Sequence, residues 1–463
     1  MEETNQKQMD KYQRMLEQPV ERLVCTLAVP CIFSMLVTSF YNMADTYFVG
    51  QLGTTATAAV GVVFAVMALI QACGFFFGQG AGNNISRLLG ANDTEEAEYL
   101  SACGFFSSLI AGCVVAILGN VFCIPIARLL GSSDTILPYA VTYMRIILCG
   151  APFMMGSLAL NNLLRFQGNA NLAIIGILTG AVANLILDPL LIFSCKLGIA
   201  GAALATILGQ ALGCAVLFAV NQRSDAISIR LRSFKPSGER YYTIFKGGMP
   251  SLCRQAIGSI GTMAMNWAAG TYGDSAIAAM SVVNRITMMA VSAMIGFGQG
   301  FQPVCGFNYG ARRTDRVKRA FFFCVRVAAI FLIAVAAVGI IFAPQLIAIF
   351  RKDDPAVIAF GAMALRLQLA AMPLSAWVVM SNMMLQTTGK TGRASFLALA
   401  RQGIFLIPIL FLLPRLLGAI GVQSAQMIAD ILSFGASIPI MIPVLRRMQE
   451  TGNINEKQKE AKP

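Results

Sequence analysis

At 463 residues with 57% hydrophobic and only 12% charged side chains, the chain cannot coat a water-soluble core, since an ordinary soluble domain is about 25% charged. It has no histidine, and its 12 cysteines stand singly without a CxxC pair, so metal centres and nucleophilic catalysis built on thiol and imidazole lack material. The net charge of +13 would suit a nucleic-acid partner, but its placement along the chain points to membrane topology.

Residues 1–22 mix Glu, Lys, Arg and Gln without a cleavable signal and are predicted to be a cytoplasmic segment leading into the first span. Beyond them, apolar blocks such as Leu23–Ala44, Thr55–Gly78 and Val325–Phe342 approach the ~20 residues that cross ~30 Å of hydrocarbon. Lipid offers the backbone no hydrogen-bond partner, so each block must be helical. The alternating pattern of a membrane barrel is absent. The expected fold is an all-α integral membrane protein with twelve transmembrane helices at 23–45, 55–80, 99–121, 138–158, 171–194, 198–220, 243–268, 275–301, 319–343, 356–381, 394–413 and 418–445.

The 35 Lys and Arg residues then sort by side. The amino terminus, the even-to-odd connections (counting Lys246 and Arg319 at the span edges with them) and the tail hold 24, the alternate loops hold Arg128, Lys196, Arg351, Lys352 and Arg415, and six arginines fall deeper inside spans. The positive-inside rule places both termini in the cytoplasm. The protein is expected in the cell membrane, as a monomer in the lipid bilayer, with no nucleic-acid partner.

The sequence also repeats at a spacing of 220 residues: Pro30 matches Pro250, Gly53 matches Gly273, and Phe77-Gly78-Gln79-Gly80 matches Phe297-Gly298-Gln299-Gly300. With one-residue slips Arg145 pairs with Arg366 and Gly168 with Gly389, and Gly198 returns to register at Gly418. Six helices per copy give both copies the same orientation, hence two six-helix bundles related by a pseudo-two-fold along the membrane normal. The expected lobes are 23–220 and 243–445, joined by a cytoplasmic linker at 221–242 and followed by a cytoplasmic tail at 446–463.

Of 22 acidic residues only Asp45, Asp188 and Asp430 fall within the spans or on their last residue, and a charge in the membrane costs about 3 kcal/mol or more. Asn184 and Asp188 share one helical face by their four-residue spacing, and Pro189 follows directly. Asp45 closes the first span, which carries Pro30 as a candidate hinge. Two carboxylates with an amide and hydroxyls nearby can take a proton or coordinate Na⁺; in the Na⁺ case Asp45, Asp188 and Asn184 are the expected ligands. The second copy has Met265, Ile404 and Pro408 at the matching positions, so the coupling chemistry is expected in the first lobe.

The segments YNMADTYFVGQLG around Asp45, VTYMRI around Tyr143, NLILDPLLIF with Asn184 and Asp188, and GAALATILGQ around Thr206 resemble the multidrug and toxic compound extrusion (MATE) family, closest to its DinF/MepA-like branch. The resemblance runs along nearly the whole chain. It implies that Asp45, Asp188, Asn184, Tyr143 and Thr206 form a first-lobe cluster binding H⁺ or Na⁺, that its discharge drives export of amphipathic, often cationic drugs, and that the first helix bends at Pro30. It also implies Tyr41 and Asn161 on the first-lobe cavity wall. Second-lobe acids used by one branch are missing from spans 7, 8 and 10.

Plainer readings compete. Asp188 could pair with an intramembrane arginine, Asp45 could be hydrated at the outer interface, and Asp430 could be a packing residue. Met263, Met265, Met280, Met288, Met289 and Met294 crowd spans 7 and 8; flexible thioethers suit a promiscuous apolar wall, although plain helix packing explains most of them. Of these, Met265, Met280 and Met288 are taken as substrate-binding candidates. Arg145, Arg254, Arg285, Arg326, Arg366 and Arg401 outnumber the intramembrane acids. An antiporter exporting organic cations against H⁺ or Na⁺ is therefore weighed against a flippase for a lipid-linked or anionic substrate of the same superfamily. A membrane enzyme is excluded for lack of catalytic sets, and no cofactor is expected beyond the coupling ion.

Overall fold

The computed structural model describes residues 12–224, 226–350 and 354–460; Arg351 and Lys352, parts of the two terminal segments, and residue 225 of the predicted linker lie outside them. Among the described residues the chain is helical, without a strand. The first lobe contains α1 (Val20–Gly50), α2 (Thr54–Gly90), α3 (Thr94–Val121), the short α4 (Cys123–Leu129), α5 (Leu137–Cys149), α6 (Ala151–Phe166), α7 (Ala170–Pro189) and α8 (Ile199–Arg223). After a non-helical stretch that contains one short turn at Leu231–Ser233, the second contains α9 (Gly238–Gly270), α10 (Asp274–Gly310), α11 (Thr314–Ile341), the short α12 (Ala343–Phe350), α13 (Pro355–Thr387), α14 (Thr391–Leu399), α15 (Leu406–Leu417) and α16 (Ala419–Glu460).

Ten of these helical units are long and apolar enough to cross a membrane, with α14 and α15 running as one through a π-helical stretch. The α5–α6 pair, bent by 50° at Gly150, makes an eleventh. The twelfth is α9, whose 33 residues reach about 50 Å at the helical rise. It is more polar because it carries Glu239, Arg240, Lys246, Arg254 and Gln255, while its Gly247, Gly248 and Ser251 are buried against the other lobe. Both lobes thus have six crossings, as the repeat predicts.

The repeat is visible in the backbone itself. Gly53 and Gly273 start α2 and α10 with φ of 106° and 95°, and Gly198 and Gly418 start α8 and α16 with 55° and 59°, left-handed values that only glycine adopts cheaply. The short helices α4 and α12 stand at matching positions.

The lobes meet chiefly where α1 packs on α10 and α2 packs on α9, with α2 also against α10. Polar contacts between lobes cluster at the end bearing the described chain ends and most of the basic residues, here called the basic end: Arg319 bonds Glu21 at 2.6 Å and Asn308 donates to the Met15 carbonyl at 3.4 Å. The core divides unevenly. Residues Val20–Cys31 of α1 lie in the same apolar cluster as the second-lobe helices, whereas Val49, near its other end, belongs to a first-lobe cluster. Pro30 stands where α1 passes from one lobe's core to the other's.

Candidate coupling site and the floor between the lobes

Asp188 and Asn184 leave α7 one turn apart and are buried to 0% and 3% exposure. Neither carboxylate oxygen of Asp188 has a hydrogen-bond partner, and Asn184 Nδ2 has none. Directly after Asp188, α7 gives way at Pro189 to a single π turn, Leu190–Ser194, a widened geometry often found at functional positions. Asp45, near the end of α1 remote from the basic end, also buries an unpartnered Oδ1.

Tyr143 ties the group together. It is fully buried on α5 with an unpartnered hydroxyl, which faces Thr206 and lies within electrostatic reach of Asp45, Asp188 and Tyr41. The Thr206 hydroxyl donates to the Ala202 carbonyl at 3.0 Å, leaving its lone pairs free for a donor. The Tyr41 hydroxyl faces Gln210. Four helices, α1, α5, α7 and α8, therefore bring the five expected coupling residues together. Each unpaired buried polar group costs on the order of 1–3 kcal/mol. A proton or a small hard cation on these oxygens would relieve that cost, and Asp45, Asp188 and Asn184 supply the oxygen donors that Na⁺ prefers.

Among the described residues the second lobe has no such cluster. Met265 is half-buried against the second-lobe core and Ile404 is exposed. Asp430 is neutralised by Arg401, with Nε–Oδ1 2.7 Å and Nη2–Oδ2 3.3 Å, and accepts from Gln426 at 2.9 Å. Its counterpart in the first lobe is Gln210, the neighbour of Tyr41.

The expected substrate-wall residues fare unevenly. Tyr41 is half-buried beside the acids and Met288 is 62% exposed. Met280, expected on a cavity wall, is instead 3% exposed inside the second-lobe core, because its position on α10 faces the bundle. Asn161 donates to the Ala173 carbonyl at 2.8 Å, and Asn382 in the second lobe donates to Ala394 at 2.6 Å. That bond braces a helix pair in both lobes, and it leaves the Asn161 carbonyl oxygen for other partners.

The intramembrane arginines also separate. Arg145, Arg285, Arg326 and Arg366 are exposed, Arg366 donating to the Ile340 carbonyl at 3.2 Å. Arg254 is half-buried and lies near Arg165, which is 2% exposed, donates to Asn162 Oδ1 at 2.6 Å and keeps an unpartnered Nε.

Sequence reasoning missed the floor that closes the basic end. Gln386 Nε2 donates to Gln79 Oε1 at 3.2 Å, to the Gly247 carbonyl at 3.1 Å and to Ser251 Oγ at 2.7 Å, while Ser251 donates to Gln79 Oε1. Thr387 donates to Asn83 Oδ1 at 2.9 Å. All five side chains are buried, and the bonds join α2 of one lobe to α9 and α13 of the other. The available signal was the repeated Gly-Gln-Gly motif, legible only as a packing motif. Its glycines do allow close approach: a Cβ on Gly80 would lie 2.4 Å from the Ile244 carbonyl oxygen, and one on Gly300 2.4 Å from Ala28 Cα.

Two pseudo-symmetric six-helix bundles, sealed together at one end and holding an unpaired carboxylate cluster in one lobe, define a membrane transporter rather than an enzyme. The chain belongs to the MatE family, whose pattern matches residues 30–190 and 250–412. It is 28% identical over 416 residues to the multidrug export protein MepA of Staphylococcus haemolyticus, covering 89% of this chain and 91% of that protein. A solved MATE-family transporter of the MOP superfamily in an outward-facing conformation superposes with TM-score 0.89 at 26% identity, over 94% of this chain and 98% of that one. A MOP-superfamily transporter from Pyrococcus furiosus, described as having a binding pocket of reverse polarity that suggests a different function, superposes with TM-score 0.86 at 28% identity, over 94% and 98%.

Proposed function

We propose that the protein is a secondary active multidrug exporter that moves amphipathic, cationic organic compounds out of the cell in exchange for H⁺ or Na⁺. The observation that carries this is the convergence of buried, unpartnered polar atoms from Asp45, Asp188, Asn184 and Tyr143, with Thr206 beside them. An uncompensated carboxylate pair in a dry site is stabilised by cation uptake, so its charge state can be tied to which side the lobes open towards. Pro30, at the passage of α1 between the two cores, is the hinge through which the loaded cluster would shift α1 against α10. Tyr41, Asn161, Met265 and Met288 are the proposed wall residues for substrate.

In this reading the lobes are 23–220 and 243–445, and the basic end faces the cytoplasm with both termini. The protein acts as a monomer in the cell membrane. The export function named for the staphylococcal relative supports the direction of transport. The test is dye efflux from vesicles with a pH gradient and a sodium gradient imposed separately; Asp188→Asn should abolish the gradient-driven part. Unchanged ion-driven efflux in that variant would remove the mechanism.

Arg254 favours a second reading, a flippase or exporter of anionic substrates, because this half-buried cation has the buried Arg165 for a neighbour. The relative with reversed pocket polarity gives that reading a precedent. Efflux of paired cationic and anionic dyes of equal size separates the two.

A further inference from the structure

Beneath the floor, at the basic end, a cavity of about 1020 Å³ opens on the seam between the lobes. It is lined by α2 and α3 from one lobe and by α9, α10 and α16 from the other, with Arg87, Arg240, Arg312, Lys390 and Arg447 set against Glu96 and Glu239. Glu96 is already engaged by Arg240 at 2.8 Å. Arg87 donates to Asn84 and lies over Gly389 of the other lobe, so this first-lobe cation reaches across the seam. Lys390 is crowded by Arg393 and Arg447; burial first, then these two charges, lowers its pKa.

The repeat supplies a control within the same molecule. Positions 220 residues from three lining residues are filled by the chain's own amino-terminal segment. Gly310 corresponds to Gly90, whose carbonyl accepts from Tyr12 at 3.3 Å. Leu88 corresponds to Asn308, which donates to the Met15 carbonyl at 3.4 Å. Glu96 corresponds to Arg316, which donates to the Gln18 carbonyl. On that side the counterparts of Arg87, Arg312 and Lys390 are Phe307, Asn92 and, with the one-residue slip, Asn169. One cavity of the pair is thus plugged by protein and uncharged at these positions, while the other is open and cationic.

We propose that this open cavity binds a phosphate group, on an anionic phospholipid headgroup or as free inorganic phosphate, and that the bound anion holds the lobes closed at the basic end. Clustered guanidinium and ammonium groups favour phosphate through charge-assisted hydrogen bonds. Basic pockets between transmembrane helices at the level of the lipid headgroups are suited to such ligands. Arg87 comes from one lobe and Lys390 and Arg312 from the other, so opening the seam would pull the binding groups apart. A ligand that binds only the closed arrangement shifts the population towards it. The inference does not depend on the identity of the exported substrate.

The test uses the full chain in neutral detergent at low salt, titrated with inorganic phosphate or with short-chain phosphatidylglycerol, and with phosphatidylcholine as control. Two readouts follow binding: the thermal unfolding midpoint, and alkylation of Cys305, which is fully buried near Arg87 on the closed seam, by peptide mass spectrometry. At ten times the dissociation constant the ligand should slow Cys305 alkylation about tenfold and raise the midpoint. An effect of phosphatidylglycerol alone assigns the headgroup; an equal effect of inorganic phosphate assigns the free anion. Lys390→Gln should weaken binding about fivefold, and Lys390→Arg should retain it, with the ligand-free midpoints reporting that both variants fold. The proposal fails if neither ligand moves either readout, or if Lys390→Gln binds as tightly as the parent.

Discussion

Neutralising the two buried aspartates should change stability in opposite directions. Asp430 sits at 4% exposure in a two-point contact with Arg401, its nearest distance 2.7 Å. Asp430→Asn leaves that guanidinium without its counter-charge, and breaking a buried ion pair on one side costs on the order of 3 kcal/mol. Asp188 is at 0% exposure with no partner on either oxygen. Asp188→Asn therefore removes an uncompensated group of nearly the same shape and should stabilise the fold by about 1–2 kcal/mol. Thermal unfolding of the purified variants in sodium-free, mildly alkaline buffer measures both, since there neither proton nor Na⁺ compensates the parent carboxylate. Asp188→Asn should then also remove the stabilisation that Na⁺ or acid confers on the parent. If it instead destabilises as Asp430→Asn does, Asp188 is a structural partner and the coupling argument collapses.

Three further outcomes follow from the seam and the hinge. Gln386→Leu removes three hydrogen bonds between buried groups, of which only the one to Gln79 crosses between the lobes; at about 1 kcal/mol for that bond, the seam should open roughly fivefold more often, read as faster alkylation of Cys305. Gly300→Ala places a Cβ 2.4 Å from Ala28 Cα, a backbone atom that cannot move aside. It should weaken the α1–α10 crossing and raise the same alkylation rate, and an unchanged rate would show that the crossing yields cheaply. Pro30→Ala restores a backbone N–H inside α1 and, at about 3 kcal/mol for an interior proline, should stiffen that helix. Dye efflux should slow while the unfolding midpoint is kept or raised; full efflux would remove Pro30 from the mechanism.

Much of the architecture was open to reading from the chain alone, because lipid imposes so few solutions. Apolar blocks of spanning length must be helices, and paired prolines and glycines at a fixed offset must occupy equivalent places, as Gly53 and Gly273 do. The α9 crossing shows where hydropathy stops helping: Glu239, Arg240, Lys246, Arg254 and Gln255 lower its mean, although its packing on α2 holds it in the bundle. For the candidate site, i,i+4 spacing puts Asn184 and Asp188 on one face, but sequence distance says nothing about which helices bring Tyr143 and Thr206 beside them.

Pairing was the part that only the tertiary structure decided. Asp188 and Asp430 look alike in sequence, each an acid inside an apolar helix, yet one lies unpartnered and the other against Arg401. Gln79, Ser251 and Gln386 are unremarkable polar residues until three helices from two lobes converge on them. Helical periodicity fixes what a residue faces along its own element, whereas a charge's partner depends on how separate elements pack, and that is set by the sum of many weak contacts spread along the chain.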